Sequence, residues 1–259
     1  MMDVPLEVVI DAGNTRTKLG WYRRGRIEGA ESLDTKDIAA IKARLEQQRP
    51  VRAVIGSVAG HGELDRELRS FSPFVIDQRT PFPIAIDHDT PGTLGIDRIA
   101  NAVAAARLFP DRPVLVIDAG TCITYDLVEN STFIGGAISP GRAMRSSAMH
   151  HYSARLPLID PGDDPLPIGR STTGALASGI HFGMLHELQG MIGMYGHQRP
   201  EMAVILTGGD ALRSARALKS GIFAHPYLTL DGLYAIFLHN CALHRPAGGD
   251  RSAPAGPAR

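Results

Sequence analysis

Apolar and polar positions along this chain switch repeatedly between a period near two and a period near 3.6. Short β-branched and aliphatic runs at residues 6–10, 17–22, 51–55, 74–76, 113–117, 122–128 and 203–206 read as strands. Between them Ile38, Ile41 and Leu45 share one helical face, with Asp34 or Thr35 as its cap. Ile99, Val103, Ala104 and Ala106 mark a second helix that ends near Pro110. Leu176, Ile180, Met184, Leu188 and Ile192 form the stripe of a long third helix, and Leu233, Ile236, Phe237 and Cys241 mark a last one. Strands alternating with helices predict an α/β protein.

The pattern also restarts. Ile10-Asp11-Ala12-Gly13 returns unchanged as Ile117-Asp118-Ala119-Gly120, each time at the end of an apolar run and closely followed by a threonine, Thr15 or Thr121. Later in each half an apolar run enters a small-residue turn, Ile55-Gly56-Ser57 in the first and Thr207-Gly208-Gly209 in the second. Repeated context predicts a duplication, with two similar halves facing a cleft, a favoured place for a ligand. The division is expected at 1–110 and 111–245, with a Pro/Gly/Ala/Arg tail at 246–259 expected to be disordered.

Composition narrows the options. The 259 residues suit one or two domains, and 44% apolar content is enough to build cores. Lys plus Arg and Asp plus Glu each number 27, and this balance argues against a nucleic-acid or anionic-membrane surface. Two cysteines, Cys122 and Cys241, cannot make a disulfide framework or a four-cysteine zinc site. No apolar run reaches the roughly 18–20 residues of a membrane span. The first residues lack the basic start of a signal peptide, so a cytoplasmic protein is expected.

Two local clusters carry candidate chemistry. Between Asp11 and Lys18, Gly13 permits a tight turn with N–H groups facing outward, Asn14 and Thr15 add donors, and Lys18 adds charge. Asp11 could orient a magnesium ion through water. That set suits nucleotide phosphates, although a plain hairpin turn reads equally well from these residues alone. In the second cluster Gly95, Ile96, Asp97 and Arg98 precede a helix. Asp97 could accept a hydroxyl proton and Arg98 could grip a carboxylate through two parallel hydrogen bonds, or Asp97 could simply cap the helix beside a solvated Arg98. The glycine-dense stretch at 134–141 reads as close backbone approaches or as a pair of turns. The ten histidines form no zinc-protease pattern, and no nucleophile elbow is present.

Taken in order, the stretches 11–18, 95–101, 118–126, 135–141, 153–157, 168–172, 178–183 and 207–209 resemble the type III pantothenate kinases, within the superfamily of acetate and sugar kinases, heat-shock chaperones and actin. The resemblance spans residues 6 to about 240. It implies two duplicated ribonuclease-H-like domains of the actin-like ATPase kind around a central cleft, and a homodimer. It implies ATP-dependent phosphorylation of the pantothenate hydroxyl to 4'-phosphopantothenate, the first step of coenzyme A biosynthesis. By resemblance, Asp11, Gly13, Asn14, Thr15, Lys18 and Thr121 bind ATP, with magnesium as its partner. Asp97 takes the hydroxyl proton, and Gly95, Ile96, Asp97, Arg98 and Thr172 line the pantothenate site, with Arg98 on the carboxylate. Asp118 holds a monovalent cation, potassium or ammonium. His88 stands where the family usually has Tyr or Phe against the substrate, and Ser153 replaces a usual Thr. The segment at 142–156, with Met144, Ala148 and Met149, is the expected dimer contact, placing His151 near the partner's substrate site. Two other readings remain: a kinase of this fold acting on another hydroxyl, and a regulatory relative that binds nucleotide without much turnover.

Overall fold

A computed structural model describes residues 4–57, 66–162, 164–218 and 221–244, so the tail at 246–259 lies outside the described residues. In the first half, β1 (Glu7–Ala12), β2 (Arg16–Arg23), β3 (Arg26–Asp34), β4 (Arg52–Ser57) and β5 (Phe74–Ile76) form a sheet in the order β3-β2-β1-β4-β5. In the second, β7 (Val114–Ala119), β8 (Cys122–Glu129), β9 (Thr132–Pro140), β10 (Ala203–Thr207) and β11 (Ile222–Ala224) repeat that order as β9-β8-β7-β10-β11. In each sheet the first strand pairs antiparallel with the next and parallel with the fourth, so the repeated sequence heads the same supersecondary unit twice.

Two crossings break the simple division at residue 110. Strand β6 (Ala85–Ile86) joins the second sheet beside β9. Helix α6 (Leu228–Leu243), from the end of the chain, returns to pack on β1, β4 and β5 of the first sheet. With α2 (Ile96–Leu108) it fills the space between the sheets. A shared core results, in which Val9, Tyr22 and Val54 of one sheet and Val116, Phe133 and Ile205 of the other close on these two helices. Residues 99–106 of α2 are all buried, which explains their alanine content: small side chains let α6 approach closely. At the crossing a Cβ on Gly232 would lie 1.9 Å from the Ala100 carbonyl oxygen, so only glycine fits.

The outer faces are covered separately. Val8, Ile10 and Leu19 meet α1 (Ile38–Gln48) through Ile41 and Leu45. Leu115, Ile117 and Tyr125 meet α4 (Thr172–Gly196) through Met184 and Leu188, and Ala211 of α5 (Ala211–Ala217) joins them. Strands buried on both faces read as continuous apolar runs, and that is the sequence pattern of β1, β7 and β10.

Two local expectations are corrected. The cap of α1 is Asp37, whose side chain accepts from the Ala40 N–H, and not Asp34 or Thr35. Residues 134–141 do not make a pair of turns; most of them lie in the single strand β9, followed by α3 (Arg142–His151). Gly136 is there because a Cβ would sit 1.7 Å from the Tyr125 carbonyl oxygen on the neighbouring strand.

Candidate functional site

Both repeats end their central strands at the same place, where the two turns meet. Asp11 is next to the end of β1, opposite Lys18 on β2; Asp118 is next to the end of β7, opposite Thr124 on β8. Each strand then enters a tight hairpin connection, closed by Gly13 N–H donating to the Arg16 carbonyl (3.2 Å) and by Gly120 N–H donating to the Cys122 carbonyl (3.0 Å). The connections meet: Thr15 Oγ1 and Thr121 Oγ1 are 3.3 Å apart. The hairpin reading of residues 11–18 and the phosphate reading are therefore compatible, since the two turns are hairpins that meet at Thr15 and Thr121.

Helix α2 starts beside these two turns. Its cap residue is Gly95, which has no side chain to offer, so Asp97 is not the cap. Asp97 sits in the first turn and folds back, its Oδ1 accepting from the Arg98 N–H at 2.9 Å. A Cβ on Gly95 would meet that carboxylate at 2.3 Å, which accounts for the glycine. The Asp11 carboxyl feels Asp97 and Asp118, and Asp97 feels Asp118. Asp11 is pushed up to about 7, by burial above all, with Lys18 opposing and Asp97 and Asp118 adding to the rise. Asp97 is also raised, by burial and then by Asp118. Negative charge crowded at a helix start beside phosphate-type turns is a place that calls for a cation or a proton.

Asp118 is held by Asn101, itself fixed by Thr229, and is closely approached by Gly208. Asn101, one turn along α2, donates from Nδ2 to its Oδ2 at 3.1 Å, and Thr229 at the start of α6 donates to Asn101 Oδ1 at 2.9 Å. Gly208, with φ of +94°, passes so close that a Cβ would be 2.4 Å from Asp118 Oδ1. No group of three or more His, Cys, Asp or Glu side chains positioned to hold a metal ion occurs among the described residues. A cation here would therefore take much of its coordination from water and phosphate oxygens, the habit of magnesium.

Arg98 is neither solvated nor fully available. Its Nε and Nη2 both donate to Asp126 Oδ1, at 2.9 and 2.5 Å, and the Asp126 side chain has no solvent exposure. Burial raises the Asp126 carboxyl to about 6 even though Arg98 pulls it down. The parallel grip expected from Arg98 must therefore use the guanidinium edge turned away from Asp126. The guanidinium lies over Phe133, with Cζ 5.5 Å from the ring centroid, and the His88 ring is 6.0 Å from the same ring. Arg98 and His88 thus both approach Phe133.

Two expected positions behave differently. Ile96 is only 2% exposed and packs into the central core, so its backbone alone can face a ligand. Thr172 is the exposed first residue of α4, beside a separate cavity of about 520 Å³ walled by Pro161, Leu166, Ile168, Arg170 and Ser171. No hydrogen bond or ion pair joins Thr172 to the Asp97 cluster among the described residues. Sequence reasoning gave no role to Asp126 or Thr229. A lone carboxylate inside the apolar run 122–128 is the signal for the first, since a fully buried Asp needs a partner. Thr229 gives no comparable signal.

Comparison with known proteins is consistent with this geometry. A family model for type III pantothenate kinases matches residues 7–194. The type III pantothenate kinase of Christiangramia forsetii is 38% identical over 240 residues, covering 91% of this chain and 99% of the relative. That of Porphyromonas gingivalis is 38% identical over 240 residues, covering 90% and 98%. Among solved structures, a Baf family transcriptional activator from Campylobacter jejuni superposes with a TM-score of 0.62 at 22% identity, covering 91% of this chain and 99% of the other. The ADPNP-bound activator of 2-hydroxyisocaproyl-CoA dehydratase from Clostridium difficile gives 0.55 at 14% identity, covering 96% and 100%. These two likenesses concern the fold alone.

Proposed function

From the premise that this chain belongs to the type III pantothenate kinase family, and so phosphorylates pantothenate with ATP and a divalent metal, we propose how its own residues divide the work. The observation that carries the reading is the meeting of the two repeated turns at Thr15 and Thr121, with the start of α2 and Asp97 beside them. The turn from Gly13 to Thr15, with Lys18, receives the ATP phosphates on one side, and Thr121 does so on the other. Phosphoryl transfer asks little covalent chemistry of the protein and depends on positioning and charge neutralisation, which opposed turns provide.

Asp97 accepts the proton as the pantothenate hydroxyl oxygen attacks the γ-phosphorus and the bond to the bridging oxygen of ADP breaks. Burial favours the protonated carboxyl, so Asp97 is a stronger base than an exposed aspartate. Arg98, steadied by Asp126, offers its remaining edge to the substrate carboxylate, with His88 alongside. Gly95 and the Ile96 backbone complete that side. The crowded carboxylates Asp11 and Asp118 fit cations: magnesium reached from Asp11 through water, and potassium or ammonium at Asp118. Such ions would supply positive charge against the phosphates.

The same reading includes a homodimer. Met144 on α3 and Tyr152, Leu158, Leu166 and Ile168 between α3 and α4 are exposed large apolar side chains, a grouping expected where a partner docks. Thr172 lies at the margin of this region, and its contact with pantothenate is assigned to the assembled dimer. Light scattering should give twice the chain mass at micromolar concentration; a monomer would remove this part. The reading as a whole is tested by offering ATP, magnesium and potassium with a panel of small hydroxyl compounds. Mass spectrometry should find phosphopantothenate as the dominant product, and its absence would sink the assignment.

A further inference from the structure

Thr35 does a job that neither its sequence position nor the resemblance suggests. It follows β3 and is 6% exposed. Its N–H donates to the Thr15 carbonyl at 3.2 Å, and its Oγ1 donates to the Gly13 carbonyl at 2.8 Å. Thr17 Oγ1, wholly buried, is 3.1 Å from Thr35 Oγ1. Since Thr35 spends its one hydroxyl proton on Gly13, Thr17 is the donor in that pair. A single residue thus ties two carbonyls of the first phosphate turn, Thr15 through its backbone N–H and Gly13 through its side chain.

The hydroxyl also changes how the turn closes. Opposed residues at the end of an antiparallel hairpin can exchange two N–H···O bonds. Here Gly13 N–H reaches the Arg16 carbonyl, but Arg16 N–H does not reach Gly13, whose oxygen is taken by Thr35. In a trans peptide the N–H points opposite to the C=O. Fixing the Gly13 oxygen on Thr35 therefore aims the Asn14 N–H away from it, and fixing the Thr15 oxygen does the same for the Arg16 N–H. Among the described residues no backbone partner takes the Asn14 or Thr15 N–H.

The second half shows the contrast. Gly141, after β9, is the counterpart of Thr35: its N–H donates to the Thr121 carbonyl at 3.0 Å. No side chain can follow there, because a Cβ would lie 2.2 Å from the Gly120 carbonyl oxygen. One turn is shaped by close backbone approach, the other by a buried hydroxyl.

We infer that Thr35 is a positioning residue that holds the first turn open and aims its free Asn14 N–H at the nucleotide phosphates. This rests on the proposed reading of residues 11–18 as the phosphate turn. The test is calorimetric titration of the full chain with ATP-magnesium, adenosine and pantothenate. Thr35→Val, which keeps shape and loses the hydroxyl, should weaken ATP binding about tenfold, the scale of one or two hydrogen bonds to a charged ligand. Binding of adenosine and pantothenate should stay within about twofold, and Thr35→Ser should restore ATP affinity, by the same hydrogen-bond argument. If the valine variant folds poorly, Thr35→Ala carries the same expectation. Wild-type ATP affinity in the folded variant, or equal weakening of all three ligands, overturns the inference. Lys18→Ala separates the two levels: if it leaves ATP binding unchanged, the phosphate reading itself fails; if it weakens ATP binding while Thr35→Val does not, only the role of Thr35 fails.

Discussion

Replacing Asp11 by asparagine should make the unliganded protein more stable at pH 8 while lowering its activity. The Asp11 carboxyl is moved from an ordinary 3.8 to about 7, burial being the main cause and Asp97 and Asp118 adding to it against Lys18. Because its proton affinity is raised on folding, the native state is favoured while Asp11 keeps its proton. That advantage is complete below about pH 4 and is lost as pH rises through about 7. A rise of about three decades, at about 1.4 kcal/mol each, sets an upper limit of about 4 kcal/mol on the cost of the ionised form. Asp11 is half-buried, so water and counter-ions take part of this, leaving an expected gain of about 1–3 kcal/mol for Asp11→Asn. Urea unfolding at pH 8 and at pH 4, without nucleotide and in EDTA, measures it. The gain should be present at pH 8 and shrink towards zero at pH 4. An Asp11→Asn protein less stable than wild type at pH 8, or one whose offset is the same at both values, would refute the electrostatic argument.

The other consequences are narrower. Asp126→Asn leaves Arg98 without its buried counter-charge, so it should lower stability by about 3–5 kcal/mol and raise the KM for pantothenate more than the KM for ATP; equal effects on both would point to general unfolding. Gly232→Ala places a methyl 1.9 Å from the Ala100 carbonyl oxygen and should cost about 1–3 kcal/mol in chemical denaturation by forcing α2 and α6 apart; an unchanged midpoint would mean that this crossing is looser than described. Turnover should need potassium or ammonium and be poor in sodium alone, and equal rates in the two buffers would remove Asp118 from the cation role.

Much of this architecture is written in the apolar runs. Strands such as β7 and β10 are buried on both faces, so each predicts itself without reference to its neighbours. The repeated Ile-Asp-Ala-Gly located both turns because a strand end followed by glycine has the same meaning in each half. What stayed hidden depends on partners distant in sequence. Of the two readings of 134–141, close backbone approach holds for Gly136 against Tyr125 and for Gly141 against Gly120, contacts with residues that local sequence does not name. Nothing near Arg98 announces that Asp126, 28 residues on, occupies half of its fork. Thr35 looked like a helix cap, since Asp, Ser and Thr before an apolar helix usually are; its hydroxyl instead turns back to Gly13, 22 residues earlier. Sheet membership of β6 and the return of α6 were equally illegible, because crossing between halves is decided by packing.

The central claim, that Asp97 takes the hydroxyl proton in this cleft, is tested most directly by steady-state kinetics of Asp97→Asn beside wild type, with pantothenate and ATP each varied across a range of pH. Loss of a general base should lower kcat by about 10²–10⁴-fold while leaving the KM for pantothenate nearly unchanged. In the wild type, the acid limb of the kcat profile should lie above the usual aspartate range, as the burial of Asp97 requires. A variant that keeps the wild-type kcat, or whose loss is confined to KM, would show that the proton goes elsewhere.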